Sequence, residues 1–125
     1  MTEKEYVTWQ DVELYVEKVC QKYQHMHLAG VYGIPRGGLI LAVMISHKLG
    51  IPMLISPVEN SLIVDDICDS GESLEHYALN SSSFNRPLYH ISTMYYKQGA
   101  KVVPEFFVKP KEDKWIVFPW ENKED

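Results

Sequence analysis

Apolar positions recur at helical spacing near the start of the chain, where Val12, Tyr15, Val16, Val19 and Tyr23 share one face of a segment from about Trp9 to Tyr23. Thr8 stands just before it and Asp11 three residues later, the spacing of a capping box, so a helix is predicted to begin at Thr8. Beyond it the pattern changes to short apolar runs separated by Gly, Pro and polar residues. Strands are predicted over Leu28–Ile34, near Met53–Ile55 after Pro52, over Ser61–Asp66 and Leu88–Tyr95, and as short pieces near Glu105–Val108 and Trp115–Phe118. Helices are predicted over Gly38–Leu49 and about Glu72–Asn80, with a loop over Ser81–Asn85. Short buried strands alternating with helices predict an α/β fold with a mostly parallel sheet flanked by helices.

Two of the strand-to-helix junctions carry chemistry. Leu62–Leu74 reads Leu-Ile-Val-Asp-Asp-Ile-Cys-Asp-Ser-Gly-Glu-Ser-Leu, an apolar strand leading into the adjacent carboxylates Asp65 and Asp66 and then a short Gly/Ser loop. Neighbouring carboxylates repel unless a cation or hydrogen-bond donors neutralise them, and sugar hydroxyls or hydrated Mg²⁺ do both. Gly71 lets the backbone approach an anion closely, and Ser70 and Ser73 offer hydroxyl donors; either serine also serves as a helix cap. The second junction is Pro35-Arg36-Gly37-Gly38, a guanidinium beside two glycines whose N–H groups can face a polyphosphate, or a tight strand-to-helix turn.

Together these junctions resemble the type I phosphoribosyltransferase family: Leu62–Leu74 is similar to its phosphoribosyl-pyrophosphate motif and Pro35–Gly38 to its pyrophosphate loop. The likeness extends along most of the chain, nearest to small xanthine-guanine and hypoxanthine phosphoribosyltransferases. Tyr6-Val7-Thr8-Trp9 resembles their start and Trp115-Ile116-Val117-Phe118-Pro119-Trp120-Glu121 their hood segment. The resemblance implies one domain over residues 1–125, with the hood at about 95–125. It implies transfer of a 5-phosphoribosyl group from phosphoribosyl pyrophosphate to a 6-oxo purine, with Mg²⁺ and release of pyrophosphate.

By the same resemblance, Asp69 is the carboxylate at purine N7 and, with Arg36, the catalytic pair. Asp65 and Asp66 hold the ribose hydroxyls and Mg²⁺, while Asp69, Ser70, Gly71, Glu72 and Ser73 hold the 5-phosphate. Pro35, Arg36, Gly37 and Gly38 hold pyrophosphate, with a non-proline cis peptide expected at Pro35-Arg36. Lys97 donates to the purine O6, Trp115 stacks on the base, and backbone groups around Ile116 read position 2. Phe118 and Trp120, at alternating positions, read as packing residues. The family implies a homo-oligomer, a dimer or tetramer.

Composition narrows the field. A chain of 125 residues, 46% of them apolar, suits one core. A formal charge of −5 disfavours nucleic acid as a partner, and Lys97, Lys101, Lys109, Lys111 and Lys114 read mostly as a solvated surface. The longest apolar run, Leu39–Ile45, is too short to cross a bilayer. Two thiols and no signal-peptide pattern point to a reducing cytoplasm, with Cys68 a packing residue rather than a nucleophile. His25, His27, His47, His76 and His90 read as ordinary surface residues. One departure stands out: only Ser56-Pro57-Val58-Glu59-Asn60 occupies the place where the family carries a long flexible loop. That shortening leaves open a non-catalytic regulator binding phosphoribosyl pyrophosphate or a nucleotide, alongside an enzyme acting on a pyrimidine or modified base.

Overall fold

In the computed structural model, residues 3–78 and 88–121 are described. Strand β1 (Lys4–Tyr6) leads into helix α1 (Trp9–Tyr23), and the chain continues through β2 (Val31–Gly33), α2 (Gly37–Leu49), β3 (Leu62–Cys68) and α3 (Glu72–Ala78). After the residues outside the described part come β4 (His90–Tyr96), β5 (Phe106–Pro110) and β6 (Trp115–Val117). The capping box at α1 forms as predicted: Asp11 N–H donates to Thr8 Oγ1 at 3.1 Å and Thr8 N–H donates to Asp11 Oδ2 at 3.0 Å. Gly50 ends α2 in the left-handed region at φ 68°, where its N–H donates to the Ser46 carbonyl.

β2, β3, β4 and β5 form one parallel sheet in that order, and β1 pairs with β6 in a separate two-stranded parallel sheet. Alternation along β3 sorts its side chains to two layers: Leu62 and Val64 pack with α1 and α2, whereas Ile63 packs with Leu74 of α3 and Ile91 of β4. Helices thus cover both faces of the sheet, the arrangement the strand-helix alternation predicts.

The differences from the sequence reading lie at element ends. β3 runs on through Cys68 because β4 keeps pairing with it, Ile67 to Tyr95 and Cys68 to Tyr96. The acidic pair therefore lies within the strand. β2 ends at Gly33, opposite Val64, so the edge of β3 at Asp65 and Asp66 is left to the loop that follows β2. The strand predicted near Met53–Ile55 is reduced to one bridge, Met53 to Val31. Pro52 offers no N–H, and Ile55, 99% exposed, has nothing to pack against. The hood sheet takes its second strand from the N-terminus, since Lys4–Tyr6 pairs with Trp115–Val117. The Ser81–Asn85 loop and the end of the helix predicted to Asn80 lie outside the described residues.

Candidate active site

Arg36, Asp65, Asp66, Asp69, Glu72 and Lys97 stand at or near the carboxyl ends of β2, β3 and β4. In a parallel sheet this edge is where ligands bind, because loops and helix starts converge there. The peptide bond between Pro35 and Arg36 is cis, as the resemblance implied. Arg36 is exposed and has no ion-pair partner among the described residues. Gly37 opens α2 directly against the acidic pair: a Cβ there would overlap the Asp66 carboxylate. The two junctions of the sequence reading are therefore in contact, and a side chain at position 37 would displace the Asp66 carboxylate.

Asp65 and Asp66 are half-buried. Asp65 Oδ1 accepts the Asp66 N–H at 2.9 Å, and Asp66 Oδ1 accepts the Ile67 N–H at 2.8 Å. Burial, reinforced by the neighbouring Asp66 charge, pushes the Asp65 carboxyl up to about 8. Such a pair favours a cation. No cluster of three or more His, Cys, Asp or Glu side chains able to hold a metal occurs among the described residues. Two carboxylates suit Mg²⁺, which fills the rest of its octahedron with water and substrate oxygens.

Beyond β3, Ile67 to Leu74 line a cavity of about 90 Å³. Gly71 has φ 86° and rests on the backbone of Lys101 and Val102, where a Cβ would come within 2.8 Å of the Val102 nitrogen. Lys101 N–H donates to the Ser70 carbonyl at 2.9 Å, which ties the loop to the chain after β4. Ser70 Oγ accepts the Glu72 N–H at 3.2 Å, and the Glu72 side chain turns outward to Lys101 at 3.9 Å. Cys68 is buried and donates to the Val102 carbonyl at 3.2 Å, with burial and then the charges of Asp65 and Asp69 raising its thiol to about 11. It is a packing residue.

Asp69 and Lys97 are brought together, Nζ to Oδ1 at 3.8 Å, and Lys97 also meets Asp113 Oδ1 at 3.8 Å. Asp113 belongs to the turn before β6, so this pair draws the hood turn toward the loop of β3. Trp115, two residues further on, is 57% exposed, whereas Ile116 is buried. Phe118 is buried and stacks on Trp120 at 4.9 Å between ring centroids, and Trp120 in turn meets Trp9 at 5.8 Å, so both are packing residues. The sequence reading missed Lys111, which approaches Asp69 Oδ2 at 4.0 Å with only 13% of its side chain exposed. The strand predicted to end at Val108 runs on to Pro110, and this extension places Lys111 one residue past its end.

The xanthine-guanine phosphoribosyltransferase of Cereibacter sphaeroides is 31% identical over 121 residues, spanning 73% of this chain and 68% of that protein. The enzyme of the same name from Chromohalobacter salexigens is 26% identical over 138 residues, 92% of this chain and 82% of that one. The crystal structure of a purine phosphoribosyltransferase from Pyrococcus horikoshii superposes with a TM-score of 0.80 at 31% identity, covering 95% of this chain and 94% of that one. The chain belongs to the type I phosphoribosyltransferase family. No family model matches it. As a phosphoribosyltransferase it is a glycosyltransferase, and the activity its relatives share is phosphoribosyl transfer to a purine. No helix among the described residues is long and apolar enough to cross a membrane.

Proposed function

We propose that this phosphoribosyltransferase moves the 5-phosphoribosyl group of phosphoribosyl pyrophosphate to a 6-oxo purine: xanthine, guanine or hypoxanthine. The observation that carries the reading is the meeting of Asp69 and Lys97 one residue past β3 and β4, beside the two anion loops. A carboxylate accepts from or shares a proton with N7, while an ammonium donates to a 6-oxo group and meets only a donor in the 6-amino group of adenine. Trp115 supplies an exposed ring for the base, and the backbone around Ile116 reads position 2.

In this reading the 5-phosphate sits in the Ile67–Leu74 cavity, held by Ser70, Ser73 and the amides of Asp69 to Ser73. Asp65 and Asp66 orient the ribose hydroxyls and would hold Mg²⁺. Pro35, Arg36 and the Gly37 amide receive pyrophosphate, while the Gly38 amide, which donates to the Ile34 carbonyl at 2.9 Å, fixes the turn of that loop. The bond from C1′ to the pyrophosphate oxygen breaks with its electron pair on the oxygen, the purine nitrogen bonds to C1′, and the proton released by the base passes to Asp69. Bound Mg²⁺ supplies further positive charge toward the departing pyrophosphate. Fixing both ends of the ribose and meeting leaving-group charge with Arg36 lower the barrier. The short connection from Ile55 to Asn60 covers less of the site than a long loop would, which favours slow turnover or a contribution from a neighbouring subunit. Free thiols at Cys20 and Cys68 favour the cytoplasm, and apolar surface at Leu39, Val43 and Ile55 favours a homo-oligomer.

The test is Mg²⁺-dependent pyrophosphate release from phosphoribosyl pyrophosphate with hypoxanthine, guanine, xanthine, adenine, uracil or no base. Release dependent on a 6-oxo purine is expected. Release with uracil alone would move the substrate to the pyrimidines, and binding without release would leave a nucleotide-binding regulator.

A further inference from the structure

Register explains why Lys111 reaches the site. Cys68 pairs with Tyr96 and Tyr96 with Pro110 across three adjacent strands. The next residue of each strand is Asp69, Lys97 and Lys111. The backbone continues this row: Lys97 N–H donates to the Cys68 carbonyl at 2.9 Å and Lys111 N–H to the Tyr96 carbonyl at 2.7 Å. Two ammonium groups on neighbouring strands repel unless an anion stands between them. Asp69 does, with Oδ1 toward Lys97 at 3.8 Å and Oδ2 toward Lys111 at 4.0 Å.

The two lysines are not equivalent. Lys97 is 44% exposed and shared between Asp69 and Asp113, so its ammonium is free to turn to a ligand. Lys111 is largely withdrawn from solvent, and among the described residues its Nζ has one further partner, the Glu112 carbonyl, to which it donates at 3.4 Å. A desolvated ammonium stays close to its carboxylate. We propose that Lys111 is a positioning residue: it holds the second oxygen of Asp69, so that this carboxylate keeps its place and its charge partner when Lys97 turns to the purine oxygen. The inference rests on the roles given to Asp69 and Lys97 above.

A double-mutant cycle tests it. Lys111→Met keeps most of the aliphatic stem and removes the charge, while Lys111→Arg keeps the charge. Each is made alone and with Asp69→Asn, and kcat and KM are measured with phosphoribosyl pyrophosphate, hypoxanthine and Mg²⁺. Lys111→Met is expected to lower kcat about tenfold or more, the cost of a misplaced reacting group. KM for phosphoribosyl pyrophosphate should stay within about twofold, because the phosphate loops are untouched. Lys111→Arg should recover much of the loss, and in the Asp69→Asn enzyme Lys111→Met should cost nothing further. An unchanged kcat, a loss confined to KM, or the same loss with and without Asp69 would overturn the proposal. Should Lys111→Met not fold, Lys111→Gln carries the same comparison. An unaltered enzyme without purine-dependent release would bring down the function reading and this one together, whereas an active enzyme indifferent to Lys111 overturns only this one.

Discussion

The β4–β5 pair carries a charged cluster at each end, and the two are built differently. At the amino end, His90 opens β4 and Glu105 directly precedes β5, with His90 Nδ1 lying 3.0 Å from Glu105 Oε1. Tyr23 Oη donates to the same oxygen at 2.6 Å, His90 Nε2 lies 3.3 Å from Asn60 Oδ1, and Asn60 Nδ2 donates to the His27 carbonyl at 2.6 Å. Nearly every contact there is at hydrogen-bond length, and together they tie α1, β4 and the turn before β3. At the carboxyl end, Asp69, Lys97, Lys111 and Asp113 approach one another only to 3.8–4.0 Å. Those separations exceed hydrogen-bond length, so donors and acceptors are left for a ligand. One cluster closes on itself and ties elements of the fold together; the other stays open, with donors and acceptors that the proposed substrate would complete.

The sharpest way to break this contrast is Asp69→Asn. The amide is nearly isosteric but a poor proton acceptor, so turnover should fall by about 10² to 10⁴. Binding of phosphoribosyl pyrophosphate and thermal stability should hardly move, because the pairs around Asp69 are long and its own carboxylate is more than half exposed. Unchanged turnover in the steady-state assay would move the chemistry away from this end of the strands.

Acidity at the open end offers a second test. Asp65, raised to about 8 chiefly by burial and then by Asp66, keeps its proton at neutral pH in the free protein. Cation binding must displace that proton, so Mg²⁺-dependent affinity for phosphoribosyl pyrophosphate should rise by up to about tenfold per pH unit below 8 and level off above it. Stability runs the other way. Between about pH 4 and 8 the folded chain holds a proton that the unfolded chain has lost, so unfolding becomes easier as pH rises across that window. Asp65→Asn should flatten both profiles, in titrations of binding and in thermal melts. A flat wild-type binding profile would show that the cation does not displace a proton from Asp65.

How much of this contrast could be read in the chain depends on the range of the interactions involved. Strand-helix alternation, the capping box at Thr8 and the two Gly-containing strand-to-helix junctions are written in neighbouring residues, and all of them are present in the structure. Lys111 was missed because its burial follows from register: Pro110 must stand beside Tyr96 before Lys111 can stand beside Lys97. His90 was passed over for the same reason, since Glu105 and Asn60 reach it only once β4 and β5 are aligned. The end of β3 was placed at Asp66, two residues early, because Ile67 and Cys68 stand just before the Gly/Ser loop and join the strand only once β4 is seen to pair with them. Local patterns reveal elements, whereas side-chain clusters at sheet edges need the register.

The closed end should respond in the opposite sense to Asp69. Glu105→Ala removes the acceptor of the buried Tyr23 hydroxyl and the partner of His90, and should cost about 1–2 kcal/mol in denaturant unfolding while leaving kcat unchanged. A large fall in kcat at unchanged stability would mean that the two ends are coupled through β4 and β5.

Lys97→Ala sharpens the open end itself. Its ammonium lies between Asp69 and Asp113 and is nearly half exposed, so removing it should leave the fold intact. The expected change lies in base selection. On the proposed reading, adenine meets a donor facing a donor and a 6-oxo purine gains a charge-assisted hydrogen bond from Lys97. Without it, the ratio of kcat/KM for hypoxanthine over adenine should fall about tenfold, roughly the weight of one partly solvated hydrogen bond to a charged group. The loss should come mainly from hypoxanthine, because adenine gains only the removal of a repulsion that water already moderates. An equal fall for both bases would make Lys97 a partner of Asp69 alone, and the base oxygen would then need another donor at this edge.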